Sequence, residues 1–351
     1  MSFKILNMMI ESSKFIKHSI FFFIIFSNAS FGKEFDELFT IYEPIDSSSK
    51  IEKSINNSFN TMIYRLSGNS SPSNIWKIIN AGNSRKDFIT SYSIQNLDDK
   101  NYLQVQFNKD LLIEKFNELS IPAIGSSRPV ILFLINIDSG TEKPYLLEQS
   151  ESKTDLDFLI KDSLMHIAIS RGIFLELPEL DLEDTNSVNN YPDLIDSNNL
   201  AKSQHSSNQV IEINIAKVGF NDWSVSGDMN FMFKDDSFNE QFAMRFNNFV
   251  TEETNKLLKL NLIDTSKETA ISLSLASIYN YDDYMASRDI IEKMIAIKNI
   301  NITNFETNKI SYEMFIYGDF KTFVYEISES NFANILDVSY ENNSIDLDYY
   351  R

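Results

Sequence analysis

Cysteine is absent from this chain of 351 residues, and histidine occurs only three times. The absence of cysteine excludes disulfide bonds, thiolate metal sites, cysteine nucleophiles and lipid attachment through an N-terminal cysteine. A two-histidine metal site or a histidine-dependent triad would require nearly every imidazole in the chain. The sequence therefore predicts no cofactor, no metal ligand and no catalytic residue.

Positive charge is also scarce, because 31 lysine and arginine residues face 50 aspartate and glutamate residues, for a net charge of -19. Such an excess of negative charge repels nucleic-acid backbones and anionic lipid, so we do not expect nucleic acid as a partner. Apolar residues still make up 43% of the chain, which is typical of a globular protein. At ~100–200 residues per domain, the length predicts two or three domains.

Long apolar runs are missing as well, since none reaches the ~20 residues that an ordinary membrane-spanning helix needs. A short run over residues 20–26 follows three lysines and precedes small residues at Ala29 and Gly32. This order indicates a secretory signal peptide within residues 1–32, so we expect a periplasmic or secreted protein. The alternative is an uncleaved segment that anchors the chain to the inner membrane. No later segment is expected to span a membrane.

Residues 36–122 have the pattern of a small αβ module. A strand is predicted near residues 39–43, and apolar residues at three- and four-residue spacing predict a helix over 51–66. Two alternating segments between residues 88 and 107 predict a hairpin with one covered face. A further amphipathic helix over residues 111–119 is stopped by a proline.

Residues 123–263 predict a central domain built on a βαβ unit. Residues 130–137 are apolar almost without alternation, which indicates an inner strand that is covered on both faces. A helix over residues 156–171 ends at a glycine, and a strand over residues 173–177 follows it.

The second half of the central domain predicts added antiparallel strands. Residues 185–208 are rich in Asn, Ser and Asp and are interpreted as an exposed loop. Residues 209–218 and 223–233 predict a long hairpin, and a third strand near residues 238–245 is expected to enter a helix. The predicted sheet then has about five strands.

Residues 266–351 predict a separate C-terminal domain. The order of its elements is βαββαβ, which is a ferredoxin-like arrangement. Its last element is a possible edge strand near residues 335–340. The predicted fold class is therefore mixed α/β and α+β, with three αβ units in series after the N-terminal segment.

Six short stretches occur in one order along the chain: residues 58–69, 88–92, 103–107, 122 with 125–132, 168–173, and 177–178 with 181–184. Together they resemble a family of uncharacterised bacterial envelope proteins catalogued as domain of unknown function 2066. The resemblance spans about residues 36–260. It implies a secreted or periplasmic protein, and it implies no activity.

Two arginines and three acids form the candidate site. Arg128 precedes the inner strand and Arg171 ends the following helix, whereas Asp181, Glu183 and Asp184 follow the second strand of the βαβ unit. We expect the arginines to form ion pairs with these acids, which would fix strand, helix and loop together. The alternative is that the arginines bind an anion.

The three acids also have two interpretations. An acid that precedes a helix satisfies free N–H groups for ~1 kcal/mol without any metal, and the spacing lacks the Asp-x-Asp-x-Asp-Gly signature of a calcium loop. A structural role is therefore expected. The alternative is that carboxylate oxygens at residues 181–184 hold Ca²⁺ or Mg²⁺.

These patterns predict a non-enzymatic binding or scaffold component of the cell envelope, with another envelope protein as its partner. The alternative from a different class is a divalent-metal-dependent hydrolase or a small-ligand-binding protein that uses the acidic loop 181–184. The sequence leaves the oligomeric state open.

Overall fold

The computed structural model describes residues 33–35, 37–45, 51–69, 71–97, 100–141, 143–180, 197–234, 237–330 and 332–350. The predicted signal segment 1–32 lies outside these ranges. The described chain has a mixed α/β fold in which helices pack on three larger sheets. Each larger sheet takes its strands from one of the three segments that the sequence predicts as structural units.

The N-terminal module is a three-stranded antiparallel sheet covered by helices, as the sequence predicts. Its sheet has the strand order β2-β4-β3. The apolar spacing that predicts α1 is also the spacing of its buried side chains, which include Ile55, Phe59 and Met62. The elements are β1 (Lys33–Glu34), β2 (Thr40–Pro44), α1 (Ile51–Ser67), α2 (Ser73–Asn80), β3 (Ile89–Leu97), β4 (Lys100–Phe107) and α3 (Lys109–Glu118).

The central domain begins with the predicted βαβ unit, which the structure confirms. β9 pairs with β7 in parallel, with Phe174 opposite Val130. The first six residues of β7 are all buried, as the continuous apolar run predicts for an inner strand. The elements are β5 (Ala123–Ile124), β6 (Ser127–Arg128), β7 (Val130–Asp138), β8 (Tyr145–Leu146), α4 (Asp155–Arg171) and β9 (Phe174–Glu176).

The rest of the central domain extends this sheet and covers both of its faces. The strand order is β12-β11-β10-β7-β8, and β9 also pairs with β7. α4 and α6 pack on the face that holds Ile131 and Phe133, whereas Ala201 of α5 packs on Leu132 and Leu134. The elements are α5 (Ser197–Gln204), β10 (Gln209–Lys217), β11 (Asp222–Gly227), β12 (Phe231–Lys234) and α6 (Phe238–Leu258).

Three predictions for this region are wrong in detail. Residues 238–245 form the start of α6 and not a strand, because Phe238, Phe242 and Phe246 bury one helical face at four-residue spacing. The predicted strand 223–233 is two strands, since Gly227 to Asn230 form a turn in which the Asn230 side chain donates to the Gly227 carbonyl. Part of the predicted loop 185–208 is α5.

The C-terminal domain has the predicted ferredoxin-like βαββαβ order, with one strand more. The strand order is β15-β16-β14-β18-β17, so the unpredicted β18 lies between β14 and the edge strand β17. The elements are β13 (Leu262–Ile263), β14 (Glu268–Ala276), α7 (Tyr281–Lys293), β15 (Ile297–Glu306), β16 (Lys309–Tyr317), α8 (Phe320–Glu329), β17 (Ala333–Ser339) and β18 (Ser344–Tyr349).

The N-terminal module and the C-terminal domain share one hydrophobic core. A single cluster of buried residues runs from Leu38 to Ala123 and from Ile263 to Tyr349, whereas β7, α4 and α6 belong to a second cluster. The short pair β5–β13 lies between the two clusters, since Ala123 and Ile263 belong to the first and Ile124 belongs to the second. No helix in the described ranges is both long and apolar enough to cross a membrane.

Candidate functional site

Arg65, Arg128 and Arg171 are almost fully buried, with 1%, 0% and 5% of their surface exposed. They come from α1, β6 and α4, and they meet at the carboxyl end of α1. We call these three side chains the arginine cluster. A guanidinium that leaves water loses its hydration, so its burial is costly unless hydrogen bonds replace the water. The hydrogen-bond acceptors therefore define the role of the cluster.

Arg171, the last residue of α4, donates hydrogen bonds to the carboxyl end of α1. Its Nη1 donates to the Tyr64 carbonyl at 3.1 Å, and its Nη2 donates to the Gly68 carbonyl at 2.9 Å. Nη2 also donates to the Asn255 side chain of α6. The last carbonyls of a helix lack partners within the helix and attract cations. Arg171 therefore caps α1 from another element and joins it to α6.

Arg65 makes the reciprocal contact from α1 to α4. Its Nη2 donates to the Ile169 carbonyl in the last turn of α4. Its Nη1 donates to the Leu38 and Thr40 carbonyls at 2.9 and 2.8 Å. These two bonds hold the start of β2 against α1. Each of the two helices thus carries the arginine that satisfies the carboxyl end of the other.

Two glycines with positive φ allow these close contacts. α1 ends at Gly68 with φ +65°, and α4 ends at Gly172 with φ +57°, a conformation that glycine adopts more easily than any other residue. A Cβ at Gly172 would lie 3.0 Å from Cγ and Cδ of Arg65, and a Cβ at Gly68 would lie 2.4 Å from Cδ1 of Ile124. Other residues at these positions would push the arginine and Ile124 away from the helix ends.

Arg128 is bound less completely than the other two arginines. Its Nη1 donates to the Arg65 carbonyl at 3.2 Å. Within the part of the chain that the structure describes, its Nε and Nη2 have no hydrogen-bond acceptor. The Glu326 carboxylate on α8 stabilises the positive charge of Arg128 across the domain boundary. Arg128 therefore has one hydrogen bond and the attraction of Glu326 to set against its burial and the repulsion of the other two arginines.

Residues 125–128 connect the arginine cluster to the C-terminal domain. The Ser126 N–H donates to Oε1 of Glu326 at 2.6 Å. The Ser126 hydroxyl donates to the Lys293 carbonyl at 3.3 Å and accepts from the Ile295 N–H at 2.9 Å. Arg128 is the last residue of this segment and belongs to the arginine cluster. All three structural units therefore meet at this segment.

Burial lowers the pKa of all three arginines. The pKa of Arg128 falls to about 9, because burial and the positive charges of Arg65 and Arg171 both act against its proton, while Glu326 acts in its favour. The pKa values of Arg65 and Arg171 fall to about 10, again because of burial. All three values lie above 7, so the cluster holds three positive charges at neutral pH.

The predicted acidic partners Asp181, Glu183 and Asp184 lie outside the described residues. Leu180, the last described residue before them, packs against Leu132 on the face of the central sheet opposite α4. The ion pairs with the arginines and the alternative metal site at the acidic loop therefore stay predictions. Within the described ranges, no three metal-ligating side chains converge.

The structure does bring Arg128 and Arg171 together. Both belong to the arginine cluster, and the charge of Arg171 acts on Arg128. The salt bridges between described residues are all made by other side chains. Backbone carbonyls and the Asn255 side chain, and not carboxylates, are the acceptors that these two arginines contact among the described residues.

Arg65 is the member of the cluster that the sequence did not single out. Its partners are backbone carbonyls, which have no sequence signature. One signal was nevertheless present, because Arg65 and Arg171 both lie in a last helical turn that ends at a glycine, Gly68 or Gly172. Two helices with the same Arg and Gly ending indicate two carboxyl ends that need cationic donors.

A buried carboxylate fixes the amino end of α4. Asp157 is 0% exposed, and it accepts hydrogen bonds from the Thr154 hydroxyl and the Lys153 N–H at 2.7 Å each, and from the Tyr145 hydroxyl at 2.9 Å. Thr154 in turn accepts from the Asp157 N–H, which completes a capping box. Both ends of α4 are therefore fixed by polar contacts.

A surface cleft of about 330 Å³ lies beside the arginine cluster. The rings of Phe35 and Phe174 line it with their centroids 5.7 Å apart. The guanidinium carbon of Arg65 lies 5.3 Å from the Phe35 centroid, with its charge towards the ring. Burial and a hydrogen bond to Glu37 raise the pKa of Tyr42, which lines the same wall. We call this the aromatic cleft.

Ile169 connects the aromatic cleft to an exposed apolar row on α4. Phe158, Met165 and Ile169 are spaced by seven and four residues and therefore lie on one helical face. They are 61%, 57% and 42% exposed. We call these three side chains the α4 row. The helix that the arginine cluster and the capping box fix in place thus presents apolar side chains to solvent.

Compared with known protein families, with curated protein sequences and with solved structures, the chain gives no match.

Proposed function

We propose that this chain is a non-catalytic binding or scaffold component of the bacterial cell envelope. The observation that carries the proposal is α4, a helix fixed at both ends whose α4 row faces solvent. Apolar side chains that are held rigidly before a partner arrives lose little conformational entropy on binding. A helix of this kind is therefore suited to contact another protein.

The arginine cluster supports the same proposal. The cluster donates hydrogen bonds to backbone carbonyls of α1, α4 and the start of β2. These bonds hold neighbouring structural units together. The three units can then act as one body that presents α4 at a constant position.

The envelope location is part of the proposal and is supported by the sequence alone. Three lysines, an apolar run and small residues within 1–32 have the order of a secretory signal peptide. Membership of the family catalogued as domain of unknown function 2066 belongs to the same proposal. It is supported by the six stretches between residues 58 and 184 and agrees with export from the cytoplasm.

Site-specific photo-crosslinking tests the proposal. A photoreactive phenylalanine is introduced in place of Met165 in the chain produced in its native host, and the cells are illuminated and fractionated. We expect a discrete adduct with one envelope protein, recovered from the periplasmic or membrane fraction. The control is the same substitution at Met244, a methionine on α6 with similar exposure, 62% against 57%. It should give no such adduct.

Two outcomes would overturn the proposal. One is the absence of any adduct from position 165 under conditions where the reactive group is shown to be incorporated. The other is an equal set of adducts from positions 165 and 244, which would report random collisions. Recovery of the chain in the cytoplasm would remove the envelope location and leave the binding role to be judged by the adduct.

A further inference from the structure

Charge and apolar surface are unevenly distributed on the exposed side of α4. Apolar side chains occupy four of its seven exposed positions, acids occupy two, and a histidine occupies one. These positions are Asp155, Phe158, Leu159, Asp162, Met165, His166 and Ile169. Lysine and arginine are absent from this set, although α4 contains one of each.

The α4 row and the aromatic cleft form one continuous surface, because Ile169 belongs to both. Phe158 and Ile169 are eleven residues apart, which corresponds to about 16 Å along a helix. The cleft at the end of this row has the size of pockets that bind ligands or single side chains, ~300–1,000 Å³. An apolar row that ends in a pocket is the shape that receives one face of an amphipathic helix.

The exposed charged side chains on this surface are acids. Glu37 is exposed at the aromatic cleft, and Asp162 is exposed between members of the α4 row. Arg65 also lines the cleft, but its guanidinium is buried and donates to backbone carbonyls on both terminal nitrogens. The net charge of -19 adds a long-range attraction for cations. A complementary partner is therefore apolar where it meets the α4 row and positively charged where it meets Glu37 and Asp162.

A second copy of this chain does not meet that requirement. Two copies would bring the acids of two identical surfaces together, and each copy has the same large negative charge. Like charges directly opposite each other at an interface act against association. The occupant that fits is a different protein.

We propose that the α4 row and the aromatic cleft together bind a cationic amphipathic helix of a partner protein. Apolar side chains of that helix pack on Phe158, Met165 and Ile169, and one of them enters the cleft. Lysine or arginine side chains at its flanks face Glu37 and Asp162. This inference rests on the proposed binding role and adds the chemical class of the partner.

The test uses an 18-residue peptide of leucine and lysine whose leucines lie on one helical face. Binding to the full chain is measured by fluorescence anisotropy at physiological salt. We expect saturable 1:1 binding that weakens about tenfold with Met165→Ser, since serine removes apolar contact area without changing charge. The matched control Met244→Ser should change the affinity less than twofold. Glu37→Gln should weaken binding about threefold and reduce its salt dependence.

Besides the absence of peptide binding, three results would overturn the inference. The first is equal binding of a peptide with the same composition in scrambled order, because charge alone would then explain association. The second is equal loss of affinity in Met165→Ser and Met244→Ser. If sedimentation instead shows a dimer of this chain that Met165→Ser dissociates, the occupant is a second copy and the inference is wrong.

Different combinations of the crosslinking and peptide-binding results would refute the binding role and the cationic class of the partner. If position 165 gives a specific adduct in cells but the leucine–lysine peptide does not bind, the binding role stands and the cationic class is wrong. If the adduct and the peptide binding are both missing, the binding role falls as well. Circular dichroism of each variant checks that these exposed substitutions leave the fold intact.

Discussion

Each guanidinium of the arginine cluster contacts backbone carbonyls that belong to another segment of the chain. The Arg171 guanidinium donates three hydrogen bonds, to two backbone carbonyls and to the Asn255 side chain. The Arg128 guanidinium donates one among the described residues. A planar guanidinium reaches several acceptors at once, which the single ammonium of lysine does less well. The contribution of each arginine to stability should therefore follow its number of acceptors and not its charge.

The contrast between two matched substitutions tests this view. Arg171→Met removes the donor to Gly68 and Asn255, and at ~1–3 kcal/mol per buried unsatisfied group the free energy of unfolding should fall by roughly 3–4 kcal/mol. Arg128→Met removes one hydrogen bond together with a repulsive positive charge, so we expect a loss of about 1 kcal/mol or less. Urea unfolding followed by circular dichroism measures both. Equal losses would show that charge, and not carbonyl bonding, determines the contribution.

At the scale of elements, α1 and α4 stabilise each other through their carboxyl ends. α1 supplies Arg65 to the end of α4, and α4 supplies Arg171 to the end of α1. Loss of the arginine hydrogen bonds at the carboxyl end of one helix should therefore destabilise the other helix as well, although the two helices belong to different structural units. This coupling depends on how closely Arg65 can approach Gly172.

Gly172→Ala is expected to break this coupling, and Gly82→Ala is its control. Both glycines have positive φ, +57° and +88°, so both substitutions cost about 1 kcal/mol of backbone strain. Only at Gly172 would the new Cβ meet Arg65, since nothing lies within 4 Å of a Cβ at Gly82. We expect a total loss of about 2–3 kcal/mol for Gly172→Ala. Equal losses in urea unfolding would show that the contact with Arg65 has no energetic role.

Sequence periodicity predicted the elements whose buried faces are continuous, such as α1, α4 and β7. It failed at Phe238, where bulky aromatic residues favour strands locally but their four-residue spacing buries a helix face. It also missed α5, whose only buried side chain is Ala201. β18 does have the alternation of a half-buried strand, with Ile345, Leu347 and Tyr349 buried, and the prediction ended one strand too early. Local patterns contain no information on contacts that only the tertiary fold creates.

The candidate site shows the same limit. Arg128 and Arg171 were predictable, because one precedes an inner strand and the other ends a helix beside a glycine. Their acceptors were not, since Tyr64 and Gly68 contribute main-chain oxygens that any residue possesses. The α4 row was hidden for another reason, because the exposure of Phe158 and Met165 depends on which elements pack on α4.

At the scale of the whole molecule, the shared core makes the N-terminal module depend on the C-terminal domain. Side chains of α1 and β4 belong to the same buried cluster as those of β14 and β16. Polar contacts cross the same boundary, since the Thr265 hydroxyl donates to the Ile121 carbonyl at 2.7 Å. The two regions should therefore unfold together.

Leu275→Ala, a fully buried change in β14, tests this cooperativity. The cavity should lower the free energy of unfolding by about 3 kcal/mol. If the shared core unfolds as one unit, hydrogen exchange at the amides of Leu103 and Val105 in β4 should lose the same amount of protection. Unchanged protection in β4 would show that the N-terminal module is stable on its own.

The position of β18 has a consequence for the order of events during synthesis. β18 pairs in parallel with β14, with Ser344 opposite Ser272, and separates β14 from β17. One edge of β14 therefore stays without its partner strand until residues 344–349 have been made. Through the shared core, this delay extends to the N-terminal module, so neither region completes its core before residues 344–349 have been made.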